Sequence, residues 1–351
     1  SILSVDLKDC VINALNLPEN RDPVEADDED DSKTGYLSRC IQSCAVSTDH
    51  LAVATNDKSL LLFSITKWHP LEANLVAERK IPRVSSSIRF AGQHLFVADK
   101  SGDCTVYDCT KEELPENHIG GHLSIVTDIL LTQDEKFFIT CDRDEKIRVT
   151  NYPACHEIES YCLGHREFVA QIDLLPHNPA ILVSLSGDST LRFWDFLPGK
   201  EVHRIDLPGA GIKMASKASG TETIFAVYVN ETDSLVILKV SGSHTLQHKI
   251  LKTIPLEDLF VCSLTISGTH LLALGVSQLE KNLPKIVAIK LVDWTIEDFR
   301  KQNDALQERL GSFSDANPGD AVAGLFKKKY SNIEEYHARK RKRLEAKEAK
   351  Q

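Results

Sequence analysis

Two stretches of the chain repeat one pattern and decide the fold. The first is GHLSIVTDILLTQDEKFFITCDRDEKIRVTNY over residues 121–152, and the second is GHREFVAQIDLLPHNPAILVSLSGDSTLRFWDF over residues 164–196. Their Gly-His pairs lie 43 residues apart, and the turn aspartates Asp144 and Asp188 lie 44 apart. Short apolar runs separated by polar turns predict consecutive antiparallel strands. A fixed period of this length indicates a repeat architecture.

The repeat has the period and the Gly-His and Trp-Asp residues of a WD repeat. Weaker copies continue the pattern on both sides, with turn aspartates expected at Asp57 and Asp103. Counting the last apolar strand of each copy gives seven units, around Leu3, Leu62, Val106, Val149, Phe193, Ile237 and Ala288. These units predict an all-β fold, a seven-bladed WD-repeat β-propeller in which the first blade is incomplete at its start.

The pattern divides the chain into three parts. The propeller is expected over residues 1–294, interrupted at about 19–35 by an acidic loop that cannot bury apolar surface. Residues 295–326 are expected to form a helix over 296–310, opened by a capping box at Thr295–Asp298, and then a linker. Residues 327–351 form a basic tail, with a second helix predicted over 332–349.

The charge is distributed unevenly between these parts. The chain has 351 residues and a formal net charge of -10, yet residues 327–351 hold ten Lys and Arg against four Glu, a charge of +6. The remainder therefore carries -16, which argues against a body that coats nucleic acid. No apolar run reaches 18 residues, which excludes a membrane-spanning helix. The nine cysteines lack zinc-ligand spacing, so we expect reduced thiols, no metal site and a cytosolic or nuclear protein.

The fifth unit predicts a structural tetrad formed by His165, Ser184, Asp188 and Trp194. Asp188 would orient His165, and Ser184 would link His165 to the indole of Trp194. A serine, a histidine and an aspartate also suggest a hydrolase. Each residue nevertheless occupies its repeat position, and no G-x-S-x-G turn is present to expose a nucleophile. The sequence therefore favours a chain without catalytic residues.

The turn of the fourth unit concentrates charge. His122, Thr140 and Asp144 predict a partial tetrad with Asp144 as its turn aspartate. The other charged side chains of this turn form either a solvated turn or a docking surface with charge pairs and an arginine fork. These side chains are Arg143, Glu145, Lys146 and Arg148, and Lys100 lies in a similar turn one unit earlier.

The segments VADKSGD at 97–103, GHLSIVTDILLTQDEKFFITCDRDEKIRV at 121–149 and LGHREFV at 163–169 carry a family resemblance. They closely resemble the non-catalytic WD-repeat subunit of tRNA (guanine-N7-)-methyltransferase. The DRDEKIRV block is the most specific part, because generic WD repeats rarely carry its charge pattern. The resemblance is strongest over residues 95–196.

The resemblance implies a function. This chain would bind and stabilise a catalytic methyltransferase subunit, forming a heterodimer that makes N7-methylguanosine in the variable loop of tRNA. The partner would bind S-adenosylmethionine, so this chain would need no cofactor. Docking would use Lys100, Arg143, Glu145, Lys146 and Arg148. The basic tail would neutralise tRNA phosphates through Lys327, Lys328, Lys329, Arg339, Lys340, Arg341, Lys342 and Arg343.

Two other hypotheses stay open at this point. The run Arg339–Arg343 also has the composition of a nuclear-import signal, which places the protein in the nucleus and leaves the cytoplasm open as a second compartment. The alternative to the methyltransferase subunit is a generic WD-repeat scaffold in another nuclear complex, such as a ubiquitin ligase or a chromatin reader. It predicts stable complexes without a methyltransferase.

Overall fold

A computed structural model describes residues 2–5, 12–15, 17–18, 39–68, 70–111, 113–243, 245–279, 283–310, 322–327 and 340–341. These residues form an all-β protein with 25 strands and one helix. The acidic loop predicted at 19–35 and most of the helix predicted over 332–349 lie outside the described residues.

The strands form consecutive antiparallel sheets in chain order, as the repeat predicts. Unit one is a hairpin of β1 (Ile2–Val5) and β2 (Ile12–Leu15). Units two to four contain β3 (Ile41–Val46), β4 (His50–Thr55), β5 (Ser59–Lys67), β6 (Glu72–Lys80), β7 (Ser85–Ala91), β8 (His94–Asp99), β9 (Asp103–Asp108), β10 (Glu116–Gly121), β11 (Val126–Leu131), β12 (Phe137–Asp142), β13 (Ile147–Asn151) and β14 (Ile158–Cys162). Units five to seven contain β15 (Val169–Leu175), β16 (Asn178–Ser186), β17 (Thr190–Asp195), β18 (Lys200–Asp206), β19 (Gly211–Ser219), β20 (Glu222–Val229), β21 (Ser234–Ser241), β22 (Gln247–Pro255), β23 (Phe260–Ser267), β24 (His270–Val276) and β25 (Pro284–Lys290).

The described residues form six blades, not the seven predicted. Units two to six have four strands each and unit seven has three. Unit one contains the two paired strands β1 and β2, and two strands are too few for a blade. The repeat spacing located the unit near Leu3 correctly, but a single apolar strand in the sequence does not establish a complete sheet.

Apolar side chains between neighbouring blades form the core. Phe193 of unit five meets Phe225 of unit six edge to face, with ring centroids 6.0 Å apart. Phe96 of unit three stacks on Phe138 of unit four at 5.3 Å. Both faces of a blade are therefore covered, which explains why its inner strands are apolar without strict alternation. This packing fixes the turns at one end of the blades relative to one another.

Helix α1 (Arg300–Leu310) begins later than the predicted 296–310. Residues 295–297 are extended against β25, because Lys290 N–H donates to Thr295 O at 2.9 Å and Glu297 N–H donates to Ala288 O at 2.8 Å. The helix is capped instead by Asp298, whose carboxylate accepts from the backbone of Arg300 at 3.1 Å. The strand contact has overridden the local capping box.

The helix covers the outer edge of β25. The side-chain amide of Asn303 accepts from Ile286 N–H at 2.7 Å and donates to Ile286 O at 3.1 Å. It therefore satisfies the backbone groups that a fourth strand of unit seven would otherwise bind.

Candidate functional site

The tetrad of the fifth unit has the hydrogen bonds that the repeat predicts. His165 Nδ1 lies 3.0 Å from Asp188 Oδ2, and His165 Nε2 lies 2.7 Å from Ser184 Oγ. Trp194 Nε1 donates to the same hydroxyl at 2.8 Å. Because the carboxylate accepts, the proton of the neutral imidazole belongs on Nδ1. The four side chains tie the connection before β15 to the middle of the blade.

Burial excludes the hydrolase hypothesis for these residues. Ser184 is fully buried, and its Oγ already binds both the imidazole and the indole. Burial lowers the pKa of His165, which keeps the ring neutral. Burial alone would raise the pKa of Asp188, but hydrogen bonds from His165 and Thr190 outweigh it and hold that pKa well below its usual range. The arrangement is a structural clamp.

The fourth unit uses a different aspartate from the one predicted. His122 Nδ1 lies 2.8 Å from Asp142 Oδ2, and its Nε2 lies 2.6 Å from Thr140 Oγ1. Asp142 is buried at the end of β12, whereas the predicted partner Asp144 is 40% exposed. The prediction of Asp144 as the structural aspartate was therefore wrong. Both carboxylates fit the repeat spacing within two residues, and only the position of the strand end separates them.

In the third unit, too, the structural aspartate lies earlier in the chain than the predicted one. Asp99 at the end of β8, not the predicted Asp103, caps the turn: its Oδ1 accepts from the backbone of Ser101, Gly102 and Asp103 at 2.8–3.1 Å. In units three and four the structural carboxylate thus precedes the turn. The turn side chains that follow it, Lys100 and Arg143, are not needed to hold the turn.

The structure brings the predicted docking residues of the fourth unit to one turn. Lys146 is exposed, and Arg143 is partly exposed with its Nε 3.8 Å from Asp144. Glu145 adopts a left-handed φ of 68°, which makes the turn tight. Lys100 is exposed at the neighbouring turn. These side chains form a charged surface, the docking turns, at one end of units three and four.

Arg148 differs sharply from Arg192, which occupies the equivalent position in unit five. Arg192 binds Glu201 at 2.8 Å through Nη1 and Asp188 at 3.4 Å through Nη2, and its Nε donates to Thr190. Arg148 Nε is buried and has no hydrogen-bond partner among the described residues. A buried donor without a partner is costly, so this guanidinium is suited to an incoming acceptor.

A segment after α1 packs onto the same end of the propeller. Val322 is buried in the core between units, and the ring of Phe326 meets that of Phe168 edge to face at 5.0 Å. Lys327 Nζ then binds Glu145 Oε2 at 2.7 Å. This hydrogen bond raises the pKa of Lys327. Sequence reasoning missed this anchor, although the apolar run AVAGLF before the lysines was its signal.

The predicted RNA-binding residues are described only in part. Lys327 is exposed and paired with Glu145, so a residue assigned to RNA contacts one assigned to the partner. Lys340 and Arg341 are exposed and have helical backbone. The others lie outside the described residues: Lys328, Lys329, Arg339, Lys342 and Arg343. Across the part of the chain that the structure describes, no helix is both long and apolar enough to cross a membrane.

Comparisons with known proteins identify the family. A family profile described as "tRNA methyltransferase TRM82 WD40 domain" matches residues 107–302. The chain is 36% identical over 301 residues to a protein of Culex quinquefasciatus, covering 84% of this chain and 73% of the relative. It is 38% identical over 314 residues to one of Aedes aegypti, with coverages of 84% and 76%. It is 33% identical over 346 residues to one of Drosophila mojavensis, with coverages of 92% and 86%.

All three relatives are named "tRNA (guanine-N(7)-)-methyltransferase non-catalytic subunit wuho". A chain in the crystal structure of the mitotic checkpoint complex has a TM-score of 0.59 at 16% identity, covering 67% of this chain and 71% of that one. This likeness concerns the fold alone. The extent and identity of the sequence matches establish that the chain belongs to the family of non-catalytic WD-repeat subunits of tRNA (guanine-N7-)-methyltransferase.

Proposed function

We propose that this chain docks the catalytic subunit of tRNA (guanine-N7-)-methyltransferase and holds it on tRNA for N7-methylguanosine formation in the variable loop. The propeller would stabilise the active conformation of the catalytic subunit, a shift of population toward the competent state. The partner would bind S-adenosylmethionine, and this chain would supply no cofactor. The residues proposed to contact the partner are Lys100, Arg143, Glu145, Lys146 and Arg148.

The contrast between Arg148 and Arg192 carries this proposal. Arg192 is satisfied within its own blade by Asp188 and Glu201. Asp144 stands at the repeat position of Asp188, but its side chain is 40% exposed and lies near Arg143, while Asp142 binds the histidine of this unit. The equivalent of Glu201 in the strand register is Ile158. Neither position therefore supplies Arg148 with a carboxylate. A carboxylate from a partner protein would supply the bidentate interaction that guanidinium favours.

The anchored segment supports a role for the tail in holding tRNA. The chain leaves the described surface at Lys327, beside Glu145 of the docking turns. Basic residues that follow this point start next to the site proposed for the catalytic subunit. They would contact phosphates without reading sequence. The run Arg339–Arg343 further suits nuclear import, so we propose the nucleus as a compartment of this protein.

We also propose that part of the basic tail is helical. The helical backbone of Lys340 and Arg341 supports a helix within 332–349.

Reversal of the Arg148 charge tests the proposal. We expect Arg148→Glu to release the catalytic subunit in a pull-down and to abolish the gain in tRNA methylation that the complex provides. Arg204→Glu is a matched control, because Arg204 is 47% exposed on unit five and pairs locally with Asp206. Unchanged binding and methylation in Arg148→Glu would overturn the docking assignment.

A further inference from the structure

Leu123 has an unusual environment for an apolar side chain. Its relative exposure is 107%, the highest of the large apolar residues that the structure describes, while His122 and Ser124 on either side are buried or nearly so. Single exposed leucines are ordinary on protein surfaces. Exposure alone therefore does not mark Leu123 as a binding residue, whereas its rigid backbone and its neighbours distinguish it.

The backbone around Leu123 is held from several directions. His122 N–H donates to Gly102 O at 2.8 Å, and the imidazole is clamped between Asp142 and Thr140. Gly102 has a φ of 105°, and a Cβ there would lie 2.3 Å from His122 O and 2.6 Å from Ser124 O. The two turns therefore approach too closely for any other residue at position 102. An anchor fixed in this way loses little entropy on binding.

The same contacts place Leu123 between the two docking turns. Gly102 belongs to the turn that carries Lys100, and Arg143 N–H donates to Ile125 O at 2.9 Å, two residues after Leu123. An exposed apolar side chain thus lies between two charged turns. Their acidic side chains include Glu145, which is paired with Lys327, and Asp144, which lies 3.8 Å from Arg143. A surface with an apolar centre and a charged rim of both signs complements an apolar pocket with a polar border.

We infer that Leu123 is the apolar anchor of the docking turns and inserts into an apolar pocket on the catalytic methyltransferase subunit. This inference rests on the proposed function, since it takes the docking turns as the partner surface. It adds the apolar contact that the charged residues cannot supply. Charges at a rim mainly govern association and specificity, whereas a buried apolar anchor slows dissociation.

The test measures binding of the full chain to the purified catalytic subunit. We expect Leu123→Ser to weaken binding on the order of 10- to 100-fold, mainly through faster dissociation. Leu123→Met should bind nearly as wild type, because it keeps the volume and apolar character. Val292→Ser is the matched control: Val292 is 87% exposed beyond β25, at the opposite end of the blades. The melting temperature of each variant verifies folding.

The outcomes separate this inference from the proposed function. Wild-type binding by Leu123→Ser overturns the anchor, and if Arg148→Glu still releases the partner, the docking turns stand without it. Weak binding by Leu123→Ser with normal binding by Val292→Ser supports the anchor. If Leu123→Ser and Arg148→Glu both bind as wild type, the anchor and the docking turns both fail.

Discussion

Lys327 and Glu145, 182 residues apart in the chain, form an ion pair with Nζ 2.7 Å from Oε2. The pair joins the start of the basic tail to the turn that carries the proposed docking residues. Both side chains are partly exposed, at 40% and 36%. The tail and the partner surface therefore share one region of the propeller.

The strength of this pair can be measured with a double-mutant cycle. Glu145→Gln, Lys327→Met and the combined variant should give a coupling free energy of about 0.2–1 kcal/mol, because solvent screens partly exposed ion pairs. Chemical denaturation of the free chain in low salt supplies the four free energies of unfolding. A coupling indistinguishable from zero, in low salt as well as high, would mean that the pair does not hold the segment.

The aromatic contact beneath the pair should matter for RNA more than for the partner. Phe326→Ala removes the edge-to-face contact with Phe168, so the basic tail loses its fixed origin. We expect weaker tRNA binding by the complex in a titration, with pull-down of the catalytic subunit retained. Leu197→Ala on unit five, where Leu197 is 45% exposed, is the control. Unchanged tRNA affinity would mean that tRNA binding by the tail does not need the contact between Phe326 and Phe168.

The displaced aspartate of unit four predicts unequal effects of two similar substitutions. Asp142→Asn weakens a buried, charge-assisted hydrogen bond to His122 and should lower the free energy of unfolding by about 1.5–3 kcal/mol. Asp144→Asn changes an exposed side chain and should stay within about 0.5 kcal/mol. Urea denaturation compares them directly. Equal losses would restore Asp144 as a structural residue.

The buried imidazole of unit five predicts a pH dependence of stability. Because burial holds the pKa of His165 below its ordinary value of about 6.5, the unfolded chain takes up a proton there that the native chain does not. The free energy of unfolding should therefore fall between pH 7.5 and 5.5 through this group. His165→Gln should show a smaller fall over the same interval.

The carboxylates act in a lower pH interval. Hydrogen bonds overcome burial and lower the pKa values of Asp142 and Asp188. Their contribution to stability is therefore complete above the unfolded carboxyl pKa of about 3.9 and is lost as the pH falls below it.

Denaturation curves of His165→Gln that match the wild type in their pH slope above pH 5.5 would contradict the role given to the imidazole.

The repeat made most of the fold predictable. Four-stranded units and the tetrad of unit five follow from local spacing, because His165, Ser184 and Trp194 each occupy a fixed place in one repeat. Local spacing does not predict which residue takes a structural role where two residues of one type lie close together. Asp142 and Asp144 are two positions apart, and only the end of β12 determines which one reaches His122.

Long-range contacts were beyond the sequence pattern. The apolar run that ends at Phe326 indicates a buried segment, but it does not indicate that the ring of Phe326 packs on Phe168. The predicted start of the helix was wrong for a related reason, because the backbone of residues 295–297 forms hydrogen bonds with β25 and not within a helix. The docking residues came from the family resemblance, and the register explains why Arg148 has no acidic partner within its own blade.

We propose above all that this chain is the docking subunit of a tRNA methyltransferase. Affinity purification of the wild-type chain and of Arg148→Glu, with identification of the bound protein and RNA, tests it most directly. We expect a tRNA (guanine-N7-)-methyltransferase catalytic subunit and tRNA with the wild type, and loss of the catalytic subunit with Arg148→Glu. A stable complex of the wild type with ubiquitin-ligase or chromatin proteins, free of any methyltransferase, would contradict it.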